Sequence, residues 1–191
     1  MDEKEASLLA RGPNIMMGYY KNEADTREVL KDGWLHTGDI GRLDVDGFLI
    51  ITDRKKDLIV TSGGKNVAPQ PIESLLLANP DIASAVVVGS GRNFISALIV
   101  PVFEKLEDYA RAKSIPWGSR SELCRRPEIV EFLLGEVNRM TPDYASYERI
   151  KKIAVLDRDF ELGAGEVTPT LKVKRNIVEQ KYADIESLYR D

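Results

Sequence analysis

A chain of 191 residues with 43% apolar content can fill a real core, which argues against disorder and suits one ordinary domain or a small domain with a piece of another. Its 27 basic and 31 acidic residues give a net charge of -4 and a pI near 5.3, excluding a global field that attracts nucleic acid or an anionic membrane, so any anion site is local. One cysteine, Cys124, excludes an internal disulfide and a cysteine-rich metal site, and fits a reduced, cytoplasmic setting.

Met1-Asp2-Glu3-Lys4 is charged where a signal peptide turns apolar, and SLLARGP reads as an interior strand and turn, so Met1 reads as an internal or introduced start. No apolar run approaches the roughly 18 residues of a membrane span, which leaves peripheral membrane contact open. Residues 7–11 form a short strand ended by Gly12-Pro13, and a short amphipathic helix follows over about 23–31, closed by Gly33. Two strands, 38–44 and 47–52, are joined by Val45-Asp46-Gly47, where Asp-Gly tolerates the positive φ of a tight hairpin. The charged run from Asp53 to Asp57 marks a domain boundary, after which Leu58-Ile59-Val60 resumes as a strand.

Pro69 opens a helix with Ile72, Leu75 and Leu76 on one face, stopped by Asn79-Pro80. The near-continuous apolar runs 82–88 and 95–102 predict strands covered on both faces rather than strands with one wet face. Helices are expected over 103–113 and 127–140, a third strand over 150–156, and a last helix over 176–189 carrying Tyr182, Ile185, Leu188 and Tyr189.

Ser62-Gly63-Gly64-Lys65 lacks the spacing of a GxxxxGK[ST] phosphate loop, so on local pattern it reads as a turn between strands. His36, beside Trp34-Leu35 and with no second histidine, is expected to pack or cap rather than to hold a metal or serve a triad, and Cys124 is given a structural role too. In EVTPTLKVKR, Lys172 and Lys174 fall on one face of an extended segment with Val173 opposite. Charge spacing alone favours a solvated basic patch over a lysine that swings onto an anion.

Taken together, RGPNIMMGYY (11–20), GWLHTGDIGRLDVDGFLIITDRKKDLIVTSGGKNVAPQPIE (33–73) and TPTLKVKR (168–175) closely resemble the adenylate-forming acyl-CoA synthetase superfamily. Within it the chain looks most like the AMP-forming long-chain fatty acid CoA ligases, whose late motif has TPT-x-K-x-KR where shorter-chain relatives place a glycine before the lysine. The resemblance implies a two-step reaction, in which a fatty acid carboxylate attacks the α-phosphate of ATP and the CoA thiol then displaces AMP. ATP and CoA are therefore the expected co-substrates, with Mg2+ carried on ATP rather than held by this chain, which shows no carboxylate cluster of ligand spacing.

Carried over residue by residue, the resemblance makes Lys172 the adenylation lysine and Asp39 and Arg54 the ribose contacts. Lys56 becomes the hinge, and Ser62, Gly63, Gly64 and Lys65 the turn beside the pantetheine arm during thioester formation. Pro71 departs from the glutamate that family members often have there. The family's phosphate loop, adenine pocket and acyl tunnel lie upstream of residues like Arg11, so this chain alone is expected to be inactive. The expected fold is α+β, with residues 1–55 as the β-rich end of the large adenylation domain. Residues 56–191 are expected to form a small C-terminal domain with a β-hairpin and a mainly three-stranded sheet flanked by helices. Two other readings stand beside this one: a relative that delivers its acyl-AMP to a carrier protein, and a non-catalytic module whose Arg54-Lys55-Lys56 cluster binds an acidic partner.

Overall fold

The computed structural model describes residues 6–170, 172–182, 185, 188 and 189, and the chain divides into two compact units, Met1–Leu58 and Ile59–Asp191. The first unit is an antiparallel sheet built on one long strand. β1 (Ala6–Ala10), helix α1 (Glu23–Val29) and β2 (Leu30–Lys31) lead into β3 (Trp34–Leu43), which pairs with β1, with β2 and with β4 (Leu49–Arg54).

Helix α1 is shorter than its sequence pattern predicts, because Gly33 closes a hairpin and not a helix. Lys31 faces Trp34 across Asp32 (φ 52°) and Gly33 (φ 77°), both in the left-handed region that a two-residue Asp-Gly turn requires, and this draws Leu30 and Lys31 into β2. The β3/β4 hairpin forms as predicted. Asp44 closes its loop by accepting the Asp46 and Phe48 N–H groups on Oδ1 at 2.9 and 2.8 Å, while Gly47 takes φ 84°.

The second unit starts with a small hairpin of β5 (Ile59–Val60) and β6 (Asn66–Val67), then helix α2 (Pro69–Leu76). Strands β7 (Ile82–Val88) and β8 (Ser96–Pro101) are antiparallel. After helices α3 (Phe103–Ala112), α4 (Arg120–Arg125) and α5 (Pro127–Met140), strand β9 (Lys152–Val155) joins β8 in parallel to give the order β7-β8-β9. Next comes α6 (Arg175–Lys181), interrupted at Tyr182, which is extended with φ -93° and ψ 96°, while Ile185 and Leu188 are helical again within the expected span. The remainder of the helix expected to 189 lies partly outside the described residues.

Side chains alternate across the β7/β8 pair, and each face has its own core. Ala85, Val87, Ala97 and Ile99 pack under α2, α3 and α5, while Val86, Val88, Leu98 and Val100 pack against Val178 and Ile185. Burial on both faces is why these strands are written as continuous apolar runs. Helix α4, which the periodicity does not reveal, is announced by the pattern Ser119-x-x-Glu122, whose glutamate reaches back one residue beyond the N-cap. Ser119 Oγ accepts the Glu122 N–H at 3.2 Å, and the Glu122 carboxylate accepts the Gly118 N–H at 2.8 Å.

The two units differ in how they bury apolar surface. Ile40 is the one buried apolar side chain among the described residues of the first unit, whereas Leu43, Phe48, Leu49 and Ile51 are 54–70% exposed. A sheet without a covered face lacks the dominant favourable term in folding. Residues 59–191 expressed alone are therefore expected to unfold cooperatively in urea with retained near-ultraviolet circular dichroism, and residues 1–58 alone to show no cooperative transition. A sharp transition in the shorter piece would contradict this account.

Candidate functional site

In the first unit the structure brings Asp39 and Arg54 together. They are Cα partners across β3 and β4, with Arg54 Nε 3.0 Å from Asp39 Oδ1. A bulge is responsible. From Leu43 to Gly41 the ladder keeps a register that, continued, sets Asp39 opposite Asp53, but an extra residue, Thr52, shifts it so that Asp39 meets Arg54. Gly41 sits at this step, where a Cβ would come within 2.6 Å of the Ile50 carbonyl oxygen. Thr37-Gly38-Asp39 holds the carboxylate in place. The Thr37 hydroxyl donates to the Leu8 carbonyl and accepts the Asp39 N–H, each at 3.0 Å, and Gly38 takes φ 78°. The guanidinium is 66% exposed and the carboxylate 22%, so the pair adds at most about 1 kcal/mol of stability and turns polar atoms outward. Asp53, expected only as part of a charged run, is instead buried and accepts the Arg54 N–H at 2.6 Å.

Lys56 is exposed in the turn closed by the Asp57 N–H on the Arg54 carbonyl at 2.9 Å. Ser62, Gly63, Gly64 and Lys65 form the loop between β5 and β6. Buried Thr61 organises it, its hydroxyl accepting the Lys65 N–H at 3.1 Å while its carbonyl accepts the Gly64 N–H at 2.9 Å. The loop rests on the β7–β8 connection, with the Ser62 N–H on the Arg92 carbonyl at 2.9 Å and the Ser62 hydroxyl on Asn93 Oδ1 at 2.7 Å. Gly64 needs its φ of 71°, and a Cβ at either glycine would meet nothing closer than Thr61 Oγ1, 4.0 Å from Gly63. The glycines thus border open space. The Lys65 ammonium lies 5.6 Å from the Tyr147 ring centroid.

Lys172 stands exposed on a separate loop of the same unit. Its N–H donates to Thr168 Oγ1 at 3.0 Å and its carbonyl accepts the Thr168 N–H at 2.8 Å, with Val167 and Val173 bridged below. Val173 packs on the second core while Lys172 and Lys174 face solvent, the alternation expected of an extended segment.

Each leg of the loop ends in a charge pair that no local sequence pattern announces. Before it, the fully buried Glu166 carboxylate accepts Arg158 Nη1 and Nη2 at 3.0 and 2.9 Å and the Glu161 N–H at 2.9 Å. The Arg158 guanidinium holds this carboxyl down at about 2, against burial, which pushes it up. After the loop, Arg175 donates from Nε to the Val87 carbonyl at 2.9 Å and from Nη2 to Glu73 Oε1 at 2.6 Å. Glu73 and Arg175 both lie within the quoted motifs. The available signal was a helix-start glutamate and an arginine that closes a basic run, neither of which names a partner.

His36 corrects an expectation: it is exposed, because alternation along β3 puts it on the same outward side as Trp34. Cys124 is buried and structural, its thiol pushed up to about 11 by burial. Among the described residues no group of three or more His, Cys, Asp or Glu could hold a metal ion, and no helix is long and apolar enough to cross a membrane.

Residues 56–191 match the family model described as AMP-binding enzyme C-terminal domain. The chain is similar to the long-chain-fatty-acid–CoA ligase FadD15 of Mycobacterium tuberculosis, 44% identical over 187 residues, which cover 97% of this chain and 31% of the relative. The chain thus spans about a third of the length of the curated relatives it matches. Among solved structures, it is similar to the adenylation domain of a carboxylate reductase from Mycobacterium chelonae, with TM-score 0.80 and 26% identity, covering all of this chain and 28% of that one. It also resembles o-succinylbenzoate CoA synthetase from Bacillus subtilis in complex with ATP and magnesium ion. There the TM-score is 0.62 at 29% identity, covering 91% of this chain and 30% of that one.

The Glu166 geometry has a sign in pH. A carboxyl held at about 2 when folded, against an ordinary 4.5, contributes stability that is complete above about 4.5 and lost as pH falls toward about 2. Urea midpoints of the wild type and Glu166→Gln are expected to differ most above pH 5 and to converge as pH falls through that window. A constant difference across it would show that the carboxylate charge is not what the pair stabilises.

Proposed function

The chain belongs to the AMP-binding enzyme C-terminal domain family, and from that premise we propose that it is the C-terminal portion of an AMP-forming long-chain fatty acid CoA ligase. Residues 1–55 are the end of the large adenylation domain, and residues 56–191 the mobile domain that turns about Lys56. The full-length enzyme joins a fatty acid to CoA at the expense of ATP. The observation that carries this reading is the Lys172 loop: a backbone tied to Thr168 through both the N–H and the carbonyl of Lys172 holds its exposed ammonium out to solvent.

In the first half-reaction a carboxylate oxygen of the fatty acid attacks the α-phosphorus of ATP, and the bond to the bridging oxygen breaks to release pyrophosphate. Negative charge gathers where carboxylate and phosphoryl oxygens close on each other, and the Lys172 ammonium offsets it without moving a proton. Asp39 and Arg54 address the ribose: the carboxylate accepts hydrogen bonds from the two hydroxyls, and the guanidinium, which it already orients, donates. Mg2+ travels with ATP. In the second half-reaction the CoA sulfur attacks the acyl carbonyl carbon and AMP leaves. Gly63 and Gly64 border the pantetheine arm because backbone without side chains lets a thin chain pass.

The test separates the two steps in the full-length enzyme. Lys172→Ala is expected to lower acid-dependent pyrophosphate release by several orders of magnitude while thioester formation from preformed acyl-adenylate persists. Equal loss in both steps would sink the role. Gly63→Leu is expected to do the reverse. A side chain there enters open space, so the unfolding midpoint should hold while transfer to CoA drops at least tenfold. Undiminished transfer with a fully folded variant would remove Gly63 from the pantetheine path.

A further inference from the structure

Between Lys172 and Arg175 the described backbone has no slack. Lys172 is tied to Thr168 through both its N–H and its carbonyl. Val173 is bridged to Val167 with its side chain on the second core, and the Lys174 N–H donates to the Glu166 carbonyl at 2.7 Å. Arg175, three residues past Lys172, carries the whole leg onto the end of β7. Its fork takes the Val87 carbonyl with Nε and Glu73 Oε1 with Nη2, while the Val87 N–H donates to the same Oε1 at 2.8 Å. One guanidinium and one carboxylate thus clamp both backbone groups of a single residue in a strand buried on both faces.

Both side chains are 17% exposed. A covered ion pair of this kind contributes little stability over apolar residues of similar size, because desolvating two charges offsets their attraction. What it supplies is geometry, since a planar fork fixes distance and direction together in a way that an ammonium cannot.

We infer that Glu73 and Arg175 are positioning residues that fix where the Lys172 ammonium meets the reacting oxygens, a role that rests on the reading of Lys172 given above. Reacting groups are sensitive to such placement: a shift of about 1 Å costs on the order of a hundredfold in rate. Glu73 lies 102 residues before its partner, so the helix that follows the glycine loop and the leg of the lysine loop share one fastening.

The full-length enzyme tests this with Glu73→Gln and with Arg175→Lys, which keeps the charge and loses the fork. Each is expected to lower kcat for acid-dependent pyrophosphate release at least tenfold, with KM for ATP and the rate of transfer from preformed acyl-adenylate to CoA within twofold of wild type. Amide hydrogen exchange at Lys172 and Lys174 should quicken at least tenfold while Val86 and Leu98 keep their protection. In a Lys172→Ala background Glu73→Gln should add no further loss, because the pair acts through the lysine. Additive loss there, equal loss in both half-reactions, unchanged exchange at the loop, or lost protection at Val86 and Leu98 would each overturn the inference. If Lys172→Ala leaves adenylation intact, the role of the lysine fails. If Lys172→Ala is impaired and Glu73→Gln is not, the clamp alone fails.

Discussion

Strands β7 and β8 are buried on both faces, and the loops of the second unit that carry the proposed chemistry are hung from them. The glycine loop rests on their connecting turn through Ser62, Arg92 and Asn93. The lysine loop is fastened to the end of β7 through Arg175 and Val87. A strand pair enclosed this way cannot shift by a residue without exchanging one core for the other, so it is a rigid reference for whatever is tied to it. A rigid support of this kind lets a loop present one exposed side chain from a fixed backbone.

The first unit rests on a different constraint. With Ile40 as the one buried apolar side chain among its described residues, its sheet is held by ladder hydrogen bonds and turn chemistry more than by a core. Within that sheet a single extra residue in β4 decides whether Asp39 meets an arginine or another aspartate. The bulge is local backbone geometry, yet it determines the charge complementarity of the pair assigned to the ribose.

Much of this was legible beforehand, for reasons that can be named. Alternation and apolar runs revealed β7, β8, α2 and α5, because burial on a periodic element leaves a periodic trace. Where the trace is short or ambiguous, neighbouring residues mislead. Asp32-Gly33 follows a helical pattern in the sequence but closes a hairpin in the structure, as the same dipeptide does at 46–47. Ser119 and Glu122 have the spacing of a helix start that periodicity does not amplify, since α4 has only six residues. The apolar neighbours of His36 suggest packing, but strand alternation separates a residue from its immediate neighbours and unites it with those two away.

The residues alone carry the longer periodic elements, the α+β class, the family resemblance and the exposed character of the lysine loop, because local propensity, period and motif are properties of neighbouring residues. Tertiary structure decided the partners: Asp39 with Arg54 through a bulge, the buried Glu166 with the partly exposed Arg158, and Glu73 with Arg175 across 102 residues. A charged side chain read along the chain carries no address. Which opposite charge it meets depends on register and packing, and these exist only once distant strands have paired.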